Sequence, residues 1–344
     1  MQAYSATLLH VCIIINLNKA FSGNMDLFSC MIPMNKPIYY MSPSSRKLKF
    51  VQFTHPGGEH SVSPAALAAG VKSWSRVHGR KFIKSKGLIV TGSTLSIPQD
   101  LLFWGEWEPD SYVKRVTAFS GSGILPKYVH EPFITLMGGK MVVPSMAVNQ
   151  DKCCLNTDPF VFNDYFLYSL CKQVRFVNLR YLDQGSIIIF GSTISKEKGG
   201  PYFVVDTVFV VDKWRSYHPG SARADLKGFI PKYYDDIMLF DYTGSIATEE
   251  LTCYHGAAFD RSVGGMFSFV PCKPCDKGHV VGFSRPVISS IDFPGIINDN
   301  LNSAPKYSDI SSLAEMKKIW DKLCGVIQSQ GFELGVNLKY KKIP

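Results

Sequence analysis

Gly185-Ser186-Ile187-Ile188-Ile189-Phe190-Gly191-Ser192 and, after a short polar connection, Tyr202-Phe203-Val204-Val205-Asp206-Thr207-Val208-Phe209-Val210-Val211 decide the fold. Such runs of β-branched and aromatic residues favour strands. Their apolar character is continuous rather than alternating. Both faces must therefore be covered, and the two runs predict strands of a sheet buried on both sides.

Working outward, Lys47–Thr54 alternates and predicts another strand. Ser63-Pro64 has the form of a helix start, with Leu67, Val71 and Trp74 on one face and Gly79 as a stop, so a helix is expected over 64–78. Strands are expected over Gly87–Leu95, Leu101–Trp107 and Tyr112–Phe119, and loop over 120–150. Asp158-Pro159 introduces a predicted helix over Phe160–Cys171. Residues 213–250 read as an irregular insertion. Met266–Val270 and Val280–Phe283 are further expected strands, and 290–310 reads as a linker. Ser312-x-x-Glu315 is a capping box. Leu313, Met316, Trp320, Leu323 and Ile327 then give one helical face that ends at Gly331, before a strand over Phe332–Lys339.

The fold class expected is therefore α+β: a mixed, β-rich sheet or partly open barrel with a few flanking helices. Residues 1–45 are expected to be an extension or poorly ordered segment, 46–290 the main domain, and 291–344 a C-terminal helix and strand packed on it. Leu88–Ser96 echoes Ile187–Ser195 around Gly-Ser-Thr, which raises the possibility of two helix–hairpin units, 46–150 and 151–290. Chance similarity of apolar strands is the plainer alternative.

The chain has 344 residues, a net charge of +9 and 13% aromatic residues, which suits an anionic partner such as a nucleotide or nucleic acid. Nine scattered cysteines do not form a small disulfide scaffold, so a reducing, cytoplasmic setting is expected. Leu8–Ile15 is apolar but short and has no preceding Lys or Arg, so neither a membrane span nor a signal peptide is expected. No P-loop, dinucleotide fingerprint, Gly-x-Ser-x-Gly elbow or kinase set occurs, and no cofactor is identified. Cys272-Lys-Pro-Cys275 with His279 lacks a second pair at standard spacing, even with Cys253 and His255, so no metal site is assigned.

The leading candidate site is Phe53-Thr54-His55-Pro56-Gly57-Gly58-Glu59-His60. It leaves a strand, turns on Pro and Gly in a way that suits an anion, and gathers His55, Glu59 and His60 for acid–base work or a metal. A solvated turn is the alternative. His78 closes the expected helix and Arg80 follows it; they suit phosphate, or simply complement the helix dipole. That helix would span about 20 Å, so Arg80 ranks below the turn unless the chain folds back after Gly79. Trp104-Gly105-Glu106-Trp107 offers aromatic faces and a carboxylate for a base. Asn156 and Asp158 precede the second expected helix as caps or ligands. Cys171, with no His near it in sequence, reads as a buried structural thiol. Arg285 either enters a pocket or covers a rim.

The block 185–192 followed by 202–211 resembles the strand pair of PUA-like small barrels, including ASCH and EVE-type domains. The resemblance is one of shape over those residues. It implies a barrel and a pocket for RNA or a modified base, and carries no site residue. Three functions follow: binding of a nucleotide, modified base or nucleic acid through a basic, aromatic pocket; a hydrolase or transferase on a phosphate- or base-containing substrate using His55, Glu59 and His60; or an interaction protein.

Overall fold

The computed structural model describes residues 45–343 apart from 56, 60–61, 63–70, 73–78, 117, 120–124, 138–139, 142–156, 196–200 and 239–247. The principal strands are β1 (Lys49–Thr54), β2 (Lys81–Thr91), β3 (Gln99–Gly105), β4 (Ser111–Arg115), β5 (Tyr128–Met137), β6 (Ile187–Ile194), β7 (Tyr202–Tyr217), β8 (Leu251–Gly256), β9 (Val270–Pro274), β10 (Lys306–Asp309) and β11 (Glu333–Lys339). One long helix, α1 (Leu313–Ser329), precedes β11. The protein is β-rich α+β.

The two opening runs are β6 and β7, antiparallel neighbours in a seven-stranded sheet. β1 lies parallel to β6, with Phe53 opposite Phe190 and Thr54 opposite Gly191. Side chains of β6 are buried on both faces, as its continuous apolar character predicts, and those of the alternating β1 are buried on both faces as well. A second sheet contains a small closed barrel: β2 pairs β3, β3 pairs β9, β9 pairs β11, and β11 returns to β2. The resembling strand pair lies in the first sheet, outside that ring.

Several expected elements differ. Phe160–Cys171 is not helical. Phe160 and Leu167 exchange backbone hydrogen bonds at 2.8 Å in both directions, and Asn163 and Asp164 adopt φ of 55° and 65°. Phe160, Phe162, Phe166, Leu167 and Tyr168 are all buried, so there is no single apolar stripe of the kind a surface helix needs. Within the expected helix 64–78, Val71–Lys72 pairs as a strand with Tyr112 and Ser111, and the rest lies outside the described residues. Gly87–Leu95 is broken by a turn at Gly92, whose φ is 60°. The expected loop 120–150 holds the ten-residue β5. Pro132 and the polar pair His130-Glu131 hide its pattern. Residues 213–217 complete β7, and the insertion after them carries the short helices Ala222–Asp225 and Lys232–Met238. The expected linker contains β10, which pairs β1.

The C-terminal helix is as expected. Ser312 Oγ accepts the Glu315 N–H at 3.2 Å, while the Glu315 carboxylate reaches back to Ser311. Met316, Trp320, Leu323 and Ile327 are buried with Phe267 and Phe269. Leu313, in contrast, is half-open to solvent. Among the described residues no helix is long and apolar enough to cross a membrane.

Candidate functional site

β1 ends at Thr54, and the backbone N–H of His55 donates to the Gly191 carbonyl at 2.7 Å. Gly191 lies opposite a bulge in β7, where Asp206 is the extra residue, and approaches β7 so closely that a Cβ there would lie 2.0 Å from the Val204 carbonyl oxygen. Glycine is therefore required, and the close approach fixes where the chain leaves the sheet. The turn then passes Gly58, whose carbonyl accepts the Arg80 N–H at 2.7 Å. By Arg80 the chain is back beside Gly58, so Arg80 joins the His55 turn, which corrects its lower rank.

A cluster of charged groups is buried there. Arg80 pairs with Glu106, and its Nε lies 2.7 Å from Asp206. Arg285 Nη1 donates to Asp206 at 3.0 Å and to Ser192 Oγ at 2.9 Å, and its Nη2 donates to the Gly57 carbonyl at 3.2 Å. Burial by itself lowers the Arg80 pKa, but Asp206 and Glu106 more than offset it and the net direction is upward. Burial pulls the Arg285 pKa down. Beside this cluster Lys81 holds Glu108 at 3.1 Å. Removing one member of such a buried pair costs about 3–5 kcal/mol.

His55 joins the cluster to a thiol. Its Nδ1 lies 3.7 Å from Glu106 Oε2, an ion-pair distance, and its Nε2 lies 3.4 Å from Cys171 Sγ. Its ring stacks on Phe53 at 5.7 Å. Cys171 is partly exposed, while Cys253, Cys272, Cys275 and Cys324 are buried. Cys171 is thus not buried as expected. The neighbouring His was invisible because it comes from β1, far away in sequence. Arg80 and Lys172 both lie within electrostatic reach of Cys171.

Asp158 holds the Cys171 loop from below. Its carboxylate accepts the N–H groups of Ser169, Leu170 and Cys171 at 2.9, 2.7 and 2.6 Å. Burial pushes this carboxyl up to about 6, and the three N–H donors pull against that. Lys172 follows with a φ of 62°, and its ammonium donates to the Thr54 carbonyl.

The other expected site residues separate. Glu59 is committed to β5, accepting the Lys127 and Tyr128 N–H groups at 2.7 and 2.9 Å. Trp104 is buried, donates to the Phe283 carbonyl at 2.8 Å and underlies Arg285 at 5.4 Å. Trp107 is buried and packs edge-on to Phe162 at 4.9 Å. Both indoles therefore pack the core instead of offering a face to a base. His60, His78 and Asn156 lie outside the described residues. Of the residues the sequence singles out, His55, Arg80, Glu106, Arg285, Cys171 and Asp158 come together.

Sequence reasoning missed Asp206 and Ser192. A charged residue inside the apolar run 202–211 was the available signal, because burial of a lone carboxylate demands a partner. Cys275 donates to the His279 carbonyl at 3.0 Å. Among the described residues no three His, Cys, Asp or Glu side chains are grouped to hold a metal. Compared with protein-family models, curated proteins and solved structures, the chain matches none, and its chemistry is read from its own geometry.

Proposed function

We propose that the chain is a thiol-dependent hydrolase or transferase acting on a phosphate- or base-containing substrate. Cys171 is the nucleophile, His55 the base and Glu106 the carboxylate that orients the imidazole. The observation that carries this is the placement of His55 between Cys171 Sγ at 3.4 Å and Glu106 at 3.7 Å. His55 Nε2 takes the thiol proton as sulfur attacks the electrophilic centre. The leaving group then receives that proton, and water or an acceptor releases the product from sulfur. A reducing cytoplasm would keep the thiol free.

The substrate class is supported by the net charge of +9. A separate cavity of about 420 Å³ beside the barrel is lined by Lys84, Lys86, Lys339 and Lys341 together with Asp100 and Glu131, and includes none of the residues around Cys171. The same cavity favours the second reading, a binding module for nucleotide or nucleic acid, toward which the PUA-like resemblance also points.

p-Nitrophenyl acetate separates the two. Thiol attack on its carbonyl expels p-nitrophenolate and leaves an acetyl group on Cys171, visible by peptide mass. Preferential acetylation of Cys171, slowed at least about tenfold in His55→Asn, is expected for a positioned base. Acetylation no faster than at an unfolded thiol, and indifferent to His55→Asn, leaves the binding module.

A further inference from the structure

We infer that Arg80 seats an anionic group of the substrate, a carboxylate or phosphate, next to the atom that Cys171 attacks. This rests on the reading of Cys171 as nucleophile and His55 as its base. Arg80 is only 1% exposed, with Nη1 on Glu106 and Nε beside Asp206. Its Nη2 is buried and meets no acceptor. Arg285 differs, because its Nη1 serves Ser192 and Asp206 and its Nη2 serves Gly57. Of the two guanidiniums in this cluster, Arg80 therefore has a nitrogen to offer.

Its position gives that nitrogen a use. Glu106 Oε2 is shared by Arg80 Nη1 and His55 Nδ1, so a single oxygen separates the guanidinium from the ring that faces the thiol. Cys171 feels the Arg80 charge, and its partial exposure provides the way in. A guanidinium in low-dielectric surroundings favours a charged, oxygen-rich acceptor over a neutral one. The acceptor that completes Arg80 is thus an anion carried by the substrate.

Iodoacetate and iodoacetamide test this as a matched pair. With either reagent the Cys171 thiolate attacks the methylene carbon, a sulfur–carbon bond forms and iodide leaves. Only iodoacetate carries an anion. The ratio of its rate to that of iodoacetamide at Cys171, in the folded protein, is expected to exceed the ratio for the same cysteine in urea by at least about tenfold. Arg80→Gln should return the ratio to the unfolded value. Should that variant not fold, wild-type protein decides the matter. Inorganic phosphate should slow alkylation of Cys171 relative to chloride at equal ionic strength. Equal folded and unfolded ratios, with no protection by phosphate, overturn the anion seat. If iodoacetamide alone still shows His55-dependent reactivity at low pH, the nucleophile stands without it. If that reactivity is missing too, both fall.

Discussion

His255 and Asp158 show how single buried groups set the pH response. Burial drives the His255 pKa down to about 4, although Nε2 meets the Phe229 carbonyl at 2.6 Å. The folded state thus keeps the ring neutral where the unfolded chain, near 6.5, takes up a proton. That contribution is fully present above about 6.5 and is lost as pH falls toward about 4, an effect of about 3 kcal/mol. Asp158 works in the opposite sense. Its folded pKa of about 6 lies above the ordinary value of 3.8, so its contribution is present below about 3.8 and lost as pH rises through about 6. The two oppose each other across one window and flatten the stability profile of the whole protein. Urea unfolding of His255→Phe between pH 4 and 6.5 should expose the Asp158 slope, with stability falling as pH rises. A His255→Phe profile parallel to that of the wild type would contradict this.

At the scale of elements, the site hangs on the end of β1 and on the bulge in β7 opposite Gly191. Gly191→Ala would place a Cβ against the Val204 carbonyl oxygen and the Phe203 ring. The strands must part, at a cost of about 1–3 kcal/mol by the usual range for overpacking. Because the Gly191 carbonyl anchors the His55 N–H, reactivity of Cys171 should fall along with stability. Thermal melts and alkylation rates on one sample check both. An unchanged melting temperature would show that the bulge is more tolerant than its contacts indicate.

Elements also show what could be read from sequence. β6 and β7 were legible because continuous apolar character has one physical meaning in a covered sheet, and β1 from its alternation. α1 was legible from its cap and its stripe. Phe160–Cys171 was not, since aromatic residues buried on all sides mimic helical spacing while Asp158 and the left-handed Asn163 and Asp164 close a loop. At the site, the sequence offered His55, Arg80 and Glu106 as residue types. Their convergence needed the return of the chain at Gly58 and Arg80, a backbone hydrogen bond with no local signature. Cys171 was set aside for want of a nearby His, and the pairing of distant strands supplied one.

Across the whole molecule, the two sheets share the work. The seven-stranded sheet delivers His55 from β1, Ser192 from β6 and Asp206 from β7. The barrel-containing sheet delivers Glu106 just beyond β3, and Arg80 immediately before β2. The buried ion pairs thus tie one sheet to the other, and the partly exposed thiol of Cys171 lies at their edge. The most direct measurement is the rate at which iodoacetamide alkylates Cys171 at pH 6, followed by peptide mass in wild-type protein, in His55→Asn and in urea. An ordinary thiol near pKa 8.5 is almost wholly protonated at that pH. A positioned imidazole should make folded wild-type Cys171 react at least about tenfold faster than the unfolded chain, and His55→Asn should remove that advantage. A folded rate equal to the unfolded one, or one that survives His55→Asn intact, would contradict a Cys171–His55 nucleophile.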